Sequence, residues 1–252
     1  MKRKNGDDDV FGFGQLIGIL KKNPKKIVFT EGEDPRILEA SSRLLASYFL
    51  HPILIGDEKR IADAAEESGF NIRGAEIIDP EKFDKIDEMV ELYCELRKKK
   101  GVTPDQAREI LKQANYFGTM LVKMGFADAL LGGATYSTAD TVRPALQLIK
   151  TKPGNNLVSS CFILVRPSAT GGNEVLAMGD CAININPTED DLVEIAGETA
   201  KCARIFDVDP KIAFLSYSTH GSGKGEAVDK MRNAAQKTKE KYPDLPIDGE
   251  LQ

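Results

Sequence analysis

Residues 25–49 read KKIVFTEGEDPRILEASSRLLASYF. The first stretch is rich in β-branched and aromatic residues and ends at Gly32, the pattern of a short strand. Beyond Asp34 the period changes. Ile37, Leu38, Leu44, Leu45 and Phe49 fall on one face of a helix. A strand, a polar loop and a helix thus form a unit, and that unit recurs. HPILIG at 51–56 is a second strand, DEKRIADAAEESG a helix stopped by Gly69, and AEIID at 75–79 a third strand. PEKFDKIDEMVELYCELRKKKG reads as one long amphipathic helix. Asp79 is its N-cap, Pro80 its first residue, and a basic cluster and Gly101 its end. Two more helical segments, TPDQAREILKQ and YFGTMLVKMG, lead to strand DALLGG, the turn ATYST and helix ADTVRPALQLIK. That last helix is expected to bury Val142, Ala145, Leu146 and Ile149.

Beyond residue 154 the texture changes. LVSSCFILV and EVLAMGDCAININ, joined by RPSATGGN, predict a β-hairpin. PTEDDLVEIAGETAKCARIFDV is a helix with a Pro start and acids in its first turn. Strand KIAFLSYS and helix EAVDKMRNAAQKTKEKY follow. LPIDGELQ comes after that helix and a turn, and nothing is expected to close the last βα unit. Strands alternating with helices imply an α/β fold with mostly parallel sheets. The expected division is a first α/β domain over 1–154 and a second over 155–252.

Composition narrows the function. Of 252 residues, 41% are hydrophobic and 29% charged, and the net charge is −5. That is an ordinary globular chain with no nucleic-acid-binding charge. Cys94, Cys161, Cys181 and Cys202 form no C-x-x-C pair, so neither a zinc site nor a dithiol motif is indicated, and free thiols in a reducing compartment are expected. The N-terminal 26 residues carry three acids and a short apolar run, unlike a signal peptide. No apolar run reaches the ~20 residues of a membrane span. The expected location is the cytoplasm.

In α/β folds ligands bind beyond the carboxyl ends of strands. Three loops there are rich in small and polar groups. FLSYSTHGSGKGEA, residues 214–227, resembles a phosphate loop at first sight. The G-x-x-x-x-G-K-[ST] pattern fails, because Ser218 stands at the first glycine and Gly225 at the hydroxyl position. Ser216, Ser218, Thr219 and Ser222 still offer hydroxyls, and Gly221 and Gly223 let amides approach an anion. A hydroxyl-capped strand-to-helix turn is the alternative. In the second loop Ser137 and Asp140 suggest a capping box. Arg143, read as lying in that helix's first turn, suits either an anion or a pairing with Asp140. In the first loop Glu33 and Asp34 are expected N-caps and Arg36 a first-turn cation. Arg97 to Lys100 ends a helix, where cations are favoured in any case. His220 and His51 assemble into no Ser-His-Asp set.

TEGEDPRILEA, YCELRKKKG, LLGGATYSTADTVRPALQLIKT, DCAININPTEDDL and the run from LSYSTHGSGKGEAVDK to PDLPIDGELQ, in this order, resemble the phosphate acetyltransferase (phosphotransacetylase) family. The resemblance runs from about residue 25 to Gln252. It implies reversible acetyl transfer, acetyl-CoA plus phosphate giving acetyl phosphate plus CoA. It implies two α/β/α domains with a cleft between them, like isocitrate and isopropylmalate dehydrogenases. It implies a homodimer, no metal, no cofactor beyond coenzyme A as substrate, and no nucleic-acid or membrane partner. Arg97 and Arg143 match arginines that bind the phosphate-bearing end of coenzyme A, and Arg36 matches one near the site. Ser137, Thr138, Ser216, Ser218, Thr219 and Ser222 are the hydroxyls expected to meet substrate. Family members continue past DGELQ with a C-terminal quarter that holds a Ser-Arg pair and an Asp, the proposed base for the CoA thiol. The chain is therefore expected to lack that base and to be inactive as given.

Three rivals are weighed against this reading. Phosphate butyryltransferase shares the chemistry, and pockets differing by a methylene or two discriminate only modestly. A non-catalytic acetyl-CoA-sensing domain, as appended to some malic enzymes, needs a dehydrogenase upstream. A dehydrogenase of related fold needs a G-x-G-x-x-G after a strand or an aspartate cluster for a metal, and neither pattern is present.

Overall fold

The computed structural model describes residues 13–169 and 173–252. Residues 1–12, on which the signal-peptide argument partly rests, lie outside them, as do residues 170–172 of the expected hairpin connection. Two compact units are present, one over Leu16–Lys150 and one including Thr151–Gln252.

Helix α1 (Phe13–Lys22) precedes the first strand. The first unit then runs β1 (Lys25–Phe29), α2 (Pro35–Ser47), β2 (Leu50–Ile55), α3 (Glu58–Ser68), β3 (Glu76–Ile78), α4 (Ile86–Leu96), α5 (Pro104–Leu111), α6 (Ala114–Lys123), β4 (Ala129–Leu131) and α7 (Thr138–Pro144). Its four strands lie in the order β3-β2-β1-β4, all parallel. The two faces of the sheet divide the core by strand period. Val28, Ile53 and Ile55 pack with Met89, Tyr93, Phe117 and Met120 of α4 and α6. Phe29 and Leu54, one residue out of step, pack with Leu38 and Ile61 of α2 and α3. Successive strand residues point to opposite faces, so a sheet covered on both sides needs this unbroken apolar run.

The second unit holds the hairpin β5 (Cys161–Pro167) and β6 (Asn173–Gly179), then α8 (Glu189–Ile205), β7 (Ile212–Leu215), α9 (Glu226–Lys241) and β8 (Ile247–Leu251). Its strands form two separate pairs, β5-β6 antiparallel and β7-β8 parallel. A groove of about 610 Å³ runs between β6 and β7, with Leu192, Ile195, Ala196 and Ala200 of α8 among its lining. Among the described residues, β6 pairs only with β5 and β7 only with β8.

Four expectations are corrected. The helix expected from Pro80 begins at Ile86. Asp79 caps a turn there instead, accepting from Glu81 N at 3.0 Å and pairing with Lys82 at 2.8 Å. Phe83 in the intervening segment lies edge-on to Phe117 and Phe126. The stripe expected in the helix after Ser137 is out of phase. Pro144 and Leu148 are buried, whereas Ala145, Leu146 and Ile149 are exposed. Pro144 cannot donate to the helix ladder, and the chain continues as a π-helical turn over Ala145–Ile149, where Lys150 N reaches Ala145 O at 2.9 Å. The strand expected through DCAININ stops at Gly179, because the Asp180 carboxylate turns the chain by accepting from Ala182 N and Ile183 N at 2.9 and 3.1 Å. The last βα unit, expected to be left open, is closed: β8 pairs in parallel with β7.

Candidate functional site

From β1 the chain builds outward through β2 and β3, then returns to the other side of β1 as β4. The carboxyl ends of β1 and β4 therefore form a topological switch point, where open α/β sheets bind ligands. The two loops that meet there are TEGEDPR and GGATYST. Glu31, 9% exposed, joins them. Its carboxylate accepts from Thr135 N at 2.8 Å, Gly133 N at 3.2 Å and Thr30 Oγ1 at 2.8 Å. Arg36 adds a second tie by donating to Ala134 O at 2.8 Å. It also grips Asp34 at 2.6 Å, and that guanidinium holds the Asp34 carboxyl below its ordinary range. Asp34 caps α2 as expected, accepting from Arg36 N.

On the β2 side lies a cavity of about 860 Å³. Glu31, Glu33, Asp34, Asp57 and Asp79 line it, and Arg60 and Lys82 are already paired to acids there. The excess of carboxylates makes it unsuited to a phosphate. The cations singled out in the sequence lie elsewhere.

Ser137 is the N-cap of α7 and accepts from Asp140 N at 3.2 Å. The expected box forms by half, because Asp140 accepts from the Ser137 hydroxyl at 2.6 Å rather than from its amide. Thr138 is the exposed first helical residue. Arg143 is not in the first turn but in the last, where a cation suits the helix dipole. Its side chain is 58% exposed and 3.9 Å from Asp140, so the pairing leaves it open to solvent.

Arg97 follows the last residue of α4 and is half-buried, and its Nε has no hydrogen-bond partner among the described residues. One turn earlier, buried Tyr93 meets the Tyr116 ring of α6 edge-on at 6.3 Å. Burial pushes the Tyr93 phenol up. The Tyr116 hydroxyl donates to Gln147 in the π-helical turn at 3.3 Å. This chain of contacts ties the segment carrying Arg97 to the segment carrying Arg143. Arg36, Ser137 and Thr138 belong to the switch-point loops, Arg143 lies in the last turn of the helix that follows, and Arg97 is joined to that segment through two tyrosines.

In the second unit the loop after β7 is stitched by its own chain. Ser218, fully buried, donates to Glu250 Oε1 at 2.9 Å and accepts from Gly223 N at 2.9 Å. Its hydroxyl is committed inside the loop. Ser216 Oγ accepts from Ser218 N, Ser222 Oγ from Thr219 N, and Thr219 Oγ1 from Gln252 N. Gly221 N donates to Glu250 Oε1 at 2.6 Å. Arg232 Nε meets Glu250 Oε2 at 2.9 Å. Arg232 above all, and the Gly221 amide, hold the Glu250 carboxyl down to about 2. An anion does sit among the loop's amides, and it is the chain's own glutamate. Sequence reasoning missed Glu250 and Arg232: Glu250 lies 32 residues from Ser218 along the chain, and Arg232 matters only through it. His220 stands 3.7 Å from Asp248 and is exposed.

The family described as Phosphate acetyl/butaryl transferase matches residues 13–252. The chain is 48% identical over 227 residues to the phosphate acetyltransferase of Bacillus subtilis, spanning 90% of this chain and 68% of that protein. It is 44% identical to the phosphate acetyltransferase of Clostridium acetobutylicum, over 92% of this chain and 70% of that one. Among solved structures it is similar to a phosphotransacetylase from Streptococcus pyogenes, with a TM-score of 0.85 and 46% identity, covering 95% of this chain and 73% of the other.

Proposed function

Given that the chain belongs to the Phosphate acetyl/butaryl transferase family, we propose that Arg36, Arg97, Arg143 and the hydroxyls of the three loops hold the phosphate-bearing groups of its substrates. The activity is that of a phosphate acetyltransferase, an acyltransferase that moves acetyl reversibly between coenzyme A and inorganic phosphate. The observation that carries this is identity of 44–48% to acetyltransferases over at least 90% of the chain.

The residue geometry supports the assignment of binding groups. Coenzyme A carries a pyrophosphate and a 3′-phosphate, which call for guanidinium forks. Arg143 is exposed, and the buried Arg97 Nε has no hydrogen-bond partner among the described residues. Charge neutralisation by arginine needs no metal and no cofactor. Ser137 and Thr138 stand at the opening of α7, and Ser216, Thr219 and Ser222 line the loop after β7. Ser218 serves as that loop's internal strut. In the forward reaction phosphate attacks the thioester carbonyl and the CoA thiolate leaves. In reverse the thiol, of pKa roughly 8.5, must lose its proton to attack acetyl phosphate.

The reading extends to the isocitrate/isopropylmalate dehydrogenase-like arrangement of two α/β/α domains, split near residue 154, to a cytoplasmic location and to a homodimer. One face of the hairpin supports the last point. Phe162 and Leu164 lie opposite Met178 and Leu176, and all four are more than two-fifths exposed. Light scattering after gel filtration tests it, and a monomer removes that part of the reading.

The test of function is thiol release from acetyl-CoA with and without phosphate. Phosphate-dependent release, with butyryl-CoA slower, supports the reading and overturns the expectation that the chain lacks its base. Release independent of phosphate points to a thioesterase, and faster butyryl transfer moves the assignment to the butyryl branch of the family.

A further inference from the structure

We propose that Glu250 is the positioning residue of the 216–225 loop, holding the hydroxyls of Ser216, Thr219 and Ser222 in place for the phosphate group of the substrate. This rests on the acyl-transfer reading above and adds to it how one wall of the site is set.

Two independent features lead to Glu250. The first is where it comes from. Phe214 of β7 pairs with Gly249 of β8, and Leu215 pairs with Leu251, so Glu250 is an extra residue in the ladder. Such a bulge re-aims a side chain out of the normal strand alternation. Here it delivers a carboxylate that is 1% exposed. Gly249 permits the approach: its φ is +149°, and a Cβ there would stand 2.6 Å from Phe214 Cβ.

The second feature is what the carboxylate does to the loop. It takes up the Gly221 amide and the Ser218 hydroxyl, and Ser218 in turn takes up the Gly223 amide. The amides that would serve an incoming anion are thereby spent. The remaining hydroxyls are arranged differently. Ser216, Thr219 and Ser222 each accept from a main-chain amide, at 3.0, 2.9 and 2.9 Å. A hydroxyl that accepts retains its own hydrogen to donate. The loop therefore presents three donors to a phosphate oxygen, with exposed Lys224 beside them. Arg232 keeps Glu250 in place and is itself anchored to Asp229 of α9 at 3.0 Å.

The experiment is calorimetric titration of the full chain with acetyl phosphate and, separately, with acetyl-CoA. It uses wild type, Glu250→Gln, Arg232→Gln and the double variant, with melting curves to confirm folding. In the single variants acetyl phosphate is expected to bind about tenfold more weakly, while acetyl-CoA affinity changes less than twofold. The double variant should bind no more weakly than either single one, because both act through one clamp. A role confined to fold stability lowers the melting temperature and leaves acetyl phosphate affinity unchanged, which overturns the proposal. Should either variant fail to fold, Ser218→Ala supplies the same comparison, expected at about threefold and overturned by unchanged affinity. Wild type that binds acetyl-CoA but not acetyl phosphate sinks the proposal and leaves the acyl-transfer reading standing. Wild type that binds neither overturns both.

Discussion

Glu31 and Glu250 occupy corresponding situations in the two units. Each is a carboxylate at or near the end of a strand, buried, and surrounded by amides and hydroxyls of a neighbouring loop. Glu31→Ala leaves Gly133 N and Thr135 N without their acceptor. It should lower the unfolding free energy by about 2 kcal/mol in a urea titration, since hydrogen bonds to a charged group are worth roughly 1.5–3 kcal/mol. Acetyl-CoA binding should weaken with it, because the loop that carries Ser137 loses its tether. Acid stability has its own residue. Lys152 and Lys201 flank Glu198 at 2.7 Å each and hold its carboxyl down to about 2. A depressed carboxylate stabilises the fold fully above its unfolded pKa, near 4.5, and the benefit drains away as pH falls toward 2. Melting temperature against pH should therefore fall less steeply below pH 4.5 in Glu198→Gln than in wild type. Parallel curves would remove Glu198 from the account.

At the scale of elements, what could be read from sequence was what periodicity controls. The β1 run and the α2 stripe as far as Leu45 were legible because burial on a covered sheet and on one helix face leaves a regular trace, whereas Phe49 falls past the helix end at Ser47. Asp34, Ser137 and Gly69 were legible as caps because capping is local. The misread elements each answer to a distant or stereochemical cause. Phe83 sits in the stretch that precedes α4, with its ring against Phe117 and Phe126. Pro144 shifts the phase of the residues after it. β8 carries a bulge, which breaks the alternation that would have announced a strand. The candidate site divides the same way. Arginines and hydroxyls stand out by residue type, whereas the bonds that orient them come from residues such as Glu250 that pattern cannot connect. The α4–α6 face also yields a prediction. Phe117 is fully buried and meets Phe83 at 5.3 Å. Phe117→Ala should cost about 3–5 kcal/mol in the unfolding free energy, as a large cavity does. A loss below about 1 kcal/mol would mean that the helices close over the gap.

At the scale of the whole molecule the two units differ in how their sheets are finished. The first has four strands in one sheet with helices on both faces. The second has two pairs of strands with a groove between them. The chain spans about 70% of the length of the phosphate acetyltransferases of Bacillus subtilis and Clostridium acetobutylicum. Among the described residues no helix is long and apolar enough to cross a membrane. The groove bears on how the chain behaves in a tube. Its two sides are strand rims whose main-chain groups have no ladder partner among the described residues, above a floor of alanine, leucine and isoleucine. Such rims pair with any extended backbone that reaches them, including another copy's. Concentrating the sample should thus be what ages it: scattering intensity should climb with storage more than in proportion to protein concentration. A lysine placed at Val175 or Ala177, whose side chains line that groove, should lengthen the sample's shelf life by making the rim unwelcoming to a second chain.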